Sequence, residues 1–368
     1  MKPTVLQILP ELDCGGVERG TLEVAAELVR RGHRSIVVSD TGQMVEQLIN
    51  EGSEHIDLPV GKKSIFTAVK LIPKLRKLFE QKEIDVIHAR SRLPAWLTYM
   101  AWKKMNQNSR PHFVTTVHGP YTVNRYSKIM VSGERVIAIS QYIKEYILNN
   151  YPDTNENKIQ IIHRGISKEK FPYGFKPSED WFANWGSKYP QLKDKFIVTL
   201  PGRITRWKGH NDFIDIIIKA KSNGLNVHGL IAGGIDKGKE NYLEELKSII
   251  NSNNMNEHFT FLGQRNDMKE IMSISDIVLS LATTPEAFGR TALEALCLGV
   301  PVIAYDHGGA KEVLAEMFPE GKARPLEINS VVSKINEFHY SKPIVKDSNA
   351  FTLDDMLHNT ISIYNSFA

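Results

Sequence analysis

The chain has 368 residues, 42% of them hydrophobic and 24% charged, with a formal net charge of +4. That length suits two domains, each able to bury its own core, and the composition excludes a disordered or fibrous protein. So small a positive charge makes no case for nucleic acid as a partner.

Only Cys14 and Cys297 occur. Without metal-ligand spacing, they suit a reducing compartment and argue against disulfides. The opening MKPTVLQILPELDCGG breaks its apolar run at Glu11 and Asp13, too early for a signal peptide. No run approaches the roughly 18 apolar residues of a membrane span, so a cytoplasmic protein is expected.

Short β-branched runs alternate with longer amphipathic stretches, the pattern of a parallel α/β sheet. VLQIL (5–9) opens the series, and GVERGTLEVAAELVRRGH places Leu22, Ala25, Leu28 and Val29 on one helical stripe before SIVVS (35–39). Residues 61–82 carry Lys62, Lys63, Lys70, Lys74, Arg76, Lys77 and Lys82 against Glu80 alone. Ile65, Phe66, Val69, Leu71, Ile72, Leu75, Leu78 and Phe79 recur there at near-helical spacing, so the stretch reads as a basic amphipathic segment interrupted at Pro73. It is either a solvated outer helix or a face for anionic lipid headgroups, where each close cation is worth about 1 kcal/mol. Trp96, Tyr99 and Trp102, followed by Lys103 and Lys104, would extend such a face.

DVIHA (85–89), FVTTVH (113–118), RVIAIS (135–140) and IQIIH (159–163) complete a first set of strands. The Pro-, Gly- and aromatic-rich stretch 171–196 reads as a linker or hinge with some irregular helix. A second set follows in FIVTLP (196–201), VHGLIAG (227–233), FTFLG (259–263), DIVLSLA (276–282) and PVIAY (301–305). The expected architecture is two doubly wound parallel-sheet α/β domains, 1–172 and 173–350, with a C-terminal helix in 351–368 able to pack back on the N-terminal domain. In such sheets ligands bind outside the carboxyl ends of the strands.

Four strand-end loops carry candidate chemistry. After the first strand, Gly15 and Gly16 open a helix whose N–H groups suit an anion, although the motif is not GxGxxG and also fits a plain tight turn. After strand 196–201, PGRITRWKGH sets Arg203 and Lys208 beside Gly202: two cations for a diphosphate, or a solvated basic loop. After DIVLSLA, PEAFGRTALEAL places Glu286 on a loop and Glu294 inside a helix starting at Phe288 or Gly289. Eight residues of helix span about 12 Å, whereas carboxylates flanking one glycosidic bond stand about 5–9.5 Å apart. The spacing suits two grips on an elongated ligand better than an acid/base pair; an exposed amphipathic helix is the plain alternative. Finally, His118 ends a strand and precedes Gly119. It can bond a substrate or be structural, and His88 and His163 share its strand-end position.

These elements together resemble family 4 of the retaining glycosyltransferases, which have the GT-B fold of two Rossmann-like domains facing a central cleft. The resemblance runs over nearly the whole length. It rests on E-x-FG-R-x-x-L-E from Glu286 to Glu294, followed by GVPVIA and Gly308-Gly309, on Gly202, Arg203, Lys208 and Gly209, on Gly15-Gly16 and on His118-Gly119. It implies that Glu286 contacts the donor sugar and Glu294 the ribose. Arg203 and Lys208 would hold the diphosphate with N–H groups of Gly16 and of the Phe288, Gly289 and Arg290 turn. His118 would line the sugar pocket, and the loop from Gly263 to Arg265 would border the base. Catalysis would stabilise charge on the leaving phosphate without a metal or other cofactor, there being no Asp-x-Asp motif.

HARSRLPAWLTYMAWKK, VHGPYTVNRYSKIM and ERVIAISQYI look similar to bacterial enzymes of lipopolysaccharide core and envelope glycan synthesis. The partners implied are a nucleotide-sugar donor, GDP-mannose ahead of a UDP-hexose, and a glycan or lipid-linked acceptor, with the 61–82 segment on the anionic inner membrane face. A nucleotide-sugar 2-epimerase of the same fold and a sugar-binding protein without turnover are the rival readings.

Overall fold

The computed structural model describes residues 2–13, 15–236 and 238–367, so Cys14 lies outside the described residues. It comprises two compact units, Met1–Gly165 with Leu353–Ala368, and Ile166–Thr352. The first is called unit 1 and the second unit 2.

Unit 1 runs β1 (Val5–Ile8), α1 (Gly16–Arg30), β2 (Ser35–Ser39), α2 (Val45–Asn50), β3 (Glu54–Asp57), α3 (Ile65–Gln81), β4 (Val86–Ala89), α4 (Arg92–Trp102), β5 (His112–Val117), β6 (Arg135–Ala138), α5 (Gln141–Asn150) and β7 (Ile159–Ile161). Among the described residues these strands make one seven-stranded sheet in the order β3-β2-β1-β4-β5-β6-β7, with every pairing parallel. Central parallel strands are covered on both faces and so read as unbroken apolar runs. β1, β2 and β4 accordingly show no exposed position.

Unit 2 continues with α6 (Glu179–Lys188), β8 (Phe196–Pro201), α7 (His210–Ser222), β9 (Val227–Ala232), α8 (Glu240–Ser252), β10 (Phe259–Gly263), α9 (Met268–Ser273), β11 (Ile277–Ser280), α10 (Arg290–Cys297), β12 (Val302–Tyr305), α11 (Gly308–Met317), β13 (Lys322–Ala323) and α12 (Ile328–Ser341). Its six-stranded parallel sheet has the order β10-β9-β8-β11-β12-β13. The strand order reverses between β1 and β4 in unit 1, and between β8 and β11 in unit 2. A doubly wound sheet opens its ligand crevice at that reversal.

The last helix, α13 (Leu353–Asn365), belongs to unit 1. Met356, Leu357, Ile361, Ile363 and Tyr364 pack in one buried cluster with Val5, Val24, Leu28, Val86 and Val114. Each such fully buried side chain is worth about 1.5–3 kcal/mol. Tyr364 also exchanges a 2.6 Å hydrogen bond with His88 Nδ1 in the core.

Three local readings are corrected. The 171–196 stretch is built into unit 2 rather than standing as a linker: Trp181 stacks on Trp185 at 4.8 Å, and Trp185 and Leu192 enter a cluster with Ile197, Leu230 and Leu262. Trp185 there is core, whereas Tyr173 and Phe182 are exposed. The helix in 61–82 is not interrupted, since α3 runs through Pro73, whose ring lies on the exposed side. Trp102 is buried, with its Nε1 donating to the Pro111 carbonyl at 2.6 Å, so it is a packing group rather than part of a basic face, while Trp96 and Tyr99 are half-buried. Within α3 the apolar residues divide. Leu71, Ile72, Leu75 and Phe79 are buried, whereas Ile65, Phe66 and Val69 are 81%, 85% and 65% exposed.

Candidate active site

In unit 2 the loops leaving β8 and β11 stand on either side of the strand-order reversal. The β8 loop turns back on itself because Gly202 has φ 137° and Gly209 has φ 76°, both in the left-handed range that favours glycine. The Lys208 stem consequently lies over Gly202, 3.7 Å from where a Cβ would stand. The neighbouring β9 loop approaches so closely that a Cβ on Gly233 would fall 1.8 Å from the Gly202 carbonyl oxygen.

Lys208 Nζ donates to Glu286 Oε1, with side chains 20% and 10% exposed. An ammonium on the β8 loop is thus paired with a carboxylate on the β11 loop across 78 residues of sequence. Lys208 also lies 4.4 Å from the centroid of the Trp207 ring. That places the tryptophan as a platform for the cation.

Glu286 is held from below by α11. Gly309 N donates to the Glu286 carbonyl at 2.7 Å, and Cβ atoms on Gly308 and Gly309 would sit 2.5 Å from Glu286 O and 2.2 Å from Phe288 Cα. The Phe288 side chain is buried, with its ring edge-on to Phe351 at 5.6 Å. α10 begins at Arg290, capped by Gly289 at φ 80°. Inside that helix Arg290 Nε donates to Glu294 Oε1 at 3.0 Å.

A cavity of about 300 Å³ opens beside this loop, lined by Gly202, Arg203, Gly233, Asp236, Gln264, Arg265, Thr291 and Glu294 among others. Arg203 Nη1 reaches Asp236 Oδ1 at 3.1 Å on the exposed rim. Such a surface pair is worth about 0–1 kcal/mol, weak enough for an anionic ligand to displace. Arg265 is held more firmly: its Nε and Nη2 donate to the two oxygens of Asp267 at 2.8 and 2.6 Å, and Trp181 Nε1 donates to the same carboxylate at 2.9 Å. Gly263, at φ 67° and exposed, ends β10 just before them. Among the described residues, no group of three or more His, Cys, Asp and Glu side chains converges as a metal site would.

In unit 1 the corresponding loop after β1 brings Gly15 and Gly16 to the start of α1. A Cβ on Gly15 would stand 2.1 Å from Glu18 Oε2, so that carboxylate folds back over the helix start. The Gly16 carbonyl accepts from Arg164 Nη2 at 3.4 Å, and the same Nη2 lies 2.9 Å from His118 Nδ1. Burial first, then the charges of Arg164 and Arg90, hold the His118 imidazole well below its usual range. Sequence position leaves the three histidines equal; geometry separates two of them. His88 spends both ring nitrogens in the core, on Tyr364 and on Thr116 Oγ1 at 2.6 Å each. His118 Nε2 has no hydrogen-bond partner among the described residues.

The structure thus groups Gly202, Arg203, Arg265 and Glu294 around one cavity of unit 2, joins Lys208 to Glu286 next to Gly202, and sets Gly16 and His118 around Arg164 in unit 1. Asp236, Asp267 and Arg164 escape sequence reasoning. Asp236 and Arg164 have partners in distant loops, Asp267 bonds Arg265 two residues before it, and none carries a motif of its own.

The model of Glycosyltransferase Family 4 matches residues 14–170, and that of Glycosyl transferases group 1 matches residues 183–338. A glycosyltransferase from Rickettsia africae superposes with a TM-score of 0.87 at 29% identity, over 100% of this chain and 98% of that one. The Anabaena protein HepE, crystallised with UDP and glucose, has a TM-score of 0.79 at 20% identity, covering 99% and 100%. A capsular polysaccharide biosynthesis glycosyltransferase of Staphylococcus aureus is 25% identical over 309 residues, 77% of this chain and 75% of that protein. With both halves matched in chain order on two Rossmann-like sheets, the chain belongs to the family 4 type of glycosyltransferases of GT-B fold.

Proposed function

We propose that the chain transfers a hexose, with retention and without a metal, from a nucleoside diphosphate donor to a glycan or lipid-linked acceptor of an envelope polysaccharide. The Lys208–Glu286 pair carries this reading. It joins a cation suited to a diphosphate and a carboxylate suited to sugar hydroxyls, on two loops that flank the strand-order reversal. Glu294 and Arg203 line the adjoining cavity, so one end of a nucleotide fits there while the diphosphate meets Lys208 and Arg203.

Loss of a nucleoside diphosphate develops negative charge on the β-phosphate oxygen. Lys208, Arg203 and the N-terminus of α10 can stabilise that charge as fixed groups needing no reorganisation. With the sugar gripped by Glu286, the departing phosphate itself can accept the proton of an acceptor attacking the same face. The donor is GDP-mannose or a UDP-hexose, the S. aureus relative and the sequence resemblance favouring an envelope glycan as acceptor.

The reading is tested by nucleotide release and product analysis over a panel of UDP- and GDP-hexoses, in excess EDTA. Turnover giving a product of unchanged anomeric configuration is expected. Activity lost in EDTA and restored by Mg²⁺ would overturn the metal-free account. A UDP-sugar converted to its 2-epimer without acceptor would show an epimerase, and tight binding without turnover a sugar-binding protein.

Peripheral attachment to an anionic membrane is part of the same proposal, with α3 as its site. The exposed Ile65, Phe66 and Val69 lie among Lys62, Lys63, Lys70 and Lys74, all exposed, an apolar wedge in a cationic ring. Sedimentation with phosphatidylglycerol vesicles should capture the protein, less so as salt rises, and not with phosphatidylcholine. Phe66→Glu should release it at least tenfold, since an apolar anchor is exchanged for a like charge. Equal retention by both lipids would remove α3 from the account.

A further inference from the structure

His118 and Arg164 face each other at the ends of β5 and β7 in unit 1, with Arg164 Nη2 2.9 Å from His118 Nδ1. A guanidinium has donors and no acceptor. The contact is a hydrogen bond only if Nδ1 accepts, which in a neutral imidazole leaves the proton on Nε2. That nitrogen is buried and has no hydrogen-bond partner among the described residues.

We propose that Arg164 is a positioning residue that fixes His118 as the Nε2–H tautomer, so that the ring offers a single N–H donor to an uncharged sugar oxygen and no lone pair there to serve as a base. The ligand's identity rests on the transferase reading above; the tautomer does not.

Arg164 is itself held in place. Its Nη2 also bonds the Gly16 carbonyl, and its Nη1 lies 3.9 Å from Met356 Sδ on α13. Gly20 gives it room: a Cβ there would come within 2.5 Å of Arg164 Nη1 and 3.2 Å of Arg90 Nη2. α1 therefore presents a bare backbone face against which two guanidinium groups lie.

The groups acting on His118 are Arg164, Arg90 and His88, and its own backbone N–H points at the Tyr121 hydroxyl, 3.3 Å away. The two guanidiniums oppose a second proton on the ring, and His88, with both nitrogens engaged, is neutral too, its pKa depressed by burial and the same arginines. A buried donor left unpaired is unfavourable. A ligand hydroxyl or ring oxygen removes that penalty, and a cationic ligand would not.

The tautomer can be read without substrate. Full-length protein labelled with ¹⁵N-histidine, with His118 assigned by the signals lost in His118→Gln, should show a pyrrole-type Nε2 and a pyridine-type Nδ1. The pattern should hold over about pH 6 to 8. Arg164→Met should mix the tautomers and lower kcat/KM by roughly tenfold or more. It should also raise the acid limb of the pH profile, because losing a neighbouring positive charge lifts the imidazole pKa toward its ordinary value. Arg164→Lys, which keeps a donor and a charge, should keep the acid limb low. Adding whichever of UDP-glucose and GDP-mannose is turned over should shift the Nε2 proton.

A wild-type ring protonated on Nδ1, or doubly protonated near neutrality, overturns the proposal. So does an Arg164→Met protein with the wild-type pattern and pH profile, or an Nε2 proton unmoved by the donor that is turned over. The wild-type spectrum needs no variant, so a variant that fails to fold leaves the proposal open to refutation. A protein that turns over no sugar nucleotide, yet shows the Nε2–H tautomer, keeps the role of Arg164 and loses the transferase reading.

Discussion

Glu286→Ala is expected to lower turnover by on the order of 10²–10³-fold, the loss seen when one fixed polar contact to a transition state is removed. The side chain is only 10% exposed, and its partner Lys208 is 20% exposed. Truncation deletes the carboxylate proposed to grip the sugar hydroxyls and leaves the ammonium without its counter-charge. Breaking a fully buried pair costs about 3–5 kcal/mol; Lys208 retains access to water, so the stability loss should be smaller and the protein should remain folded. The freed ammonium still meets a diphosphate, so affinity for the nucleoside diphosphate alone should not fall. Lys208→Ala should differ by weakening nucleotide binding as well as kcat. Because the two groups touch, their effects should not add in a double-mutant cycle. Steady-state kinetics with nucleotide titrations on the two single variants and the double variant makes the comparison. Turnover of Glu286→Ala close to wild type would remove Glu286 from the reaction.

Much of this fold is legible in the sequence because buried parallel strands announce themselves as apolar runs. The eleven runs read as strands all lie on strands of the two sheets, within a residue or two at the ends. β3 and β13 carry no such run, for a physical reason. Both are edge strands: none of the four residues of EHID is fully buried, and β13 is two residues long. Edge strands are under weaker pressure to be hydrophobic. Pro73 misleads because it signals a break, but its ring faces solvent while Leu71, Ile72 and Leu75 anchor the helix on the other side.

The candidate site is legible as far as its glycines and charges go. Gly202, Gly209, Gly289 and Gly308 all adopt positive φ, the backbone requirement that makes them visible as motif positions. What holds the charged groups is not visible. Arg203 finds Asp236 33 residues on, and Arg164 finds His118 46 residues back. Only the strand order brings those loop ends together, and no local pattern encodes the pairing. The same limit explains His118: its strand-end position equals that of His88, and only the occupied or unoccupied ring nitrogen tells them apart.

Gly309→Ala is expected to cost unit 2 about 1–3 kcal/mol or more, the usual range for forcing an atom into closed packing, and to lower turnover by roughly 10²-fold. The added methyl would stand 2.2 Å from Phe288 Cα and 2.6 Å from both Ala287 O and Phe288 N. All three are backbone atoms, so no side chain can swing aside. Relief requires the loop bearing Glu286 to move away from α11 by about 1.3–1.8 Å, since the new carbon would stand 2.2 Å from one that should rest about 3.5–4 Å away. That shift would stretch the 2.7 Å bond from Gly309 N to the Glu286 carbonyl. It would also misplace the carboxylate against Lys208. In a unit of this size the stability loss corresponds to a melting shift of roughly 2–12 °C. Gly186→Ala is the matched control: an exposed site inside α6 with nothing within 4 Å of the new atom. There the substitution should stabilise by about 0.5–1 kcal/mol, through the lost chain entropy of glycine, and leave turnover unchanged. Calorimetry and donor turnover on the two variants decide the matter. A Gly309→Ala protein that melts and turns over like wild type would mean that α11 does not set the position of Glu286. One that is destabilised but fully active would show that the loop's placement is not what the reaction depends on.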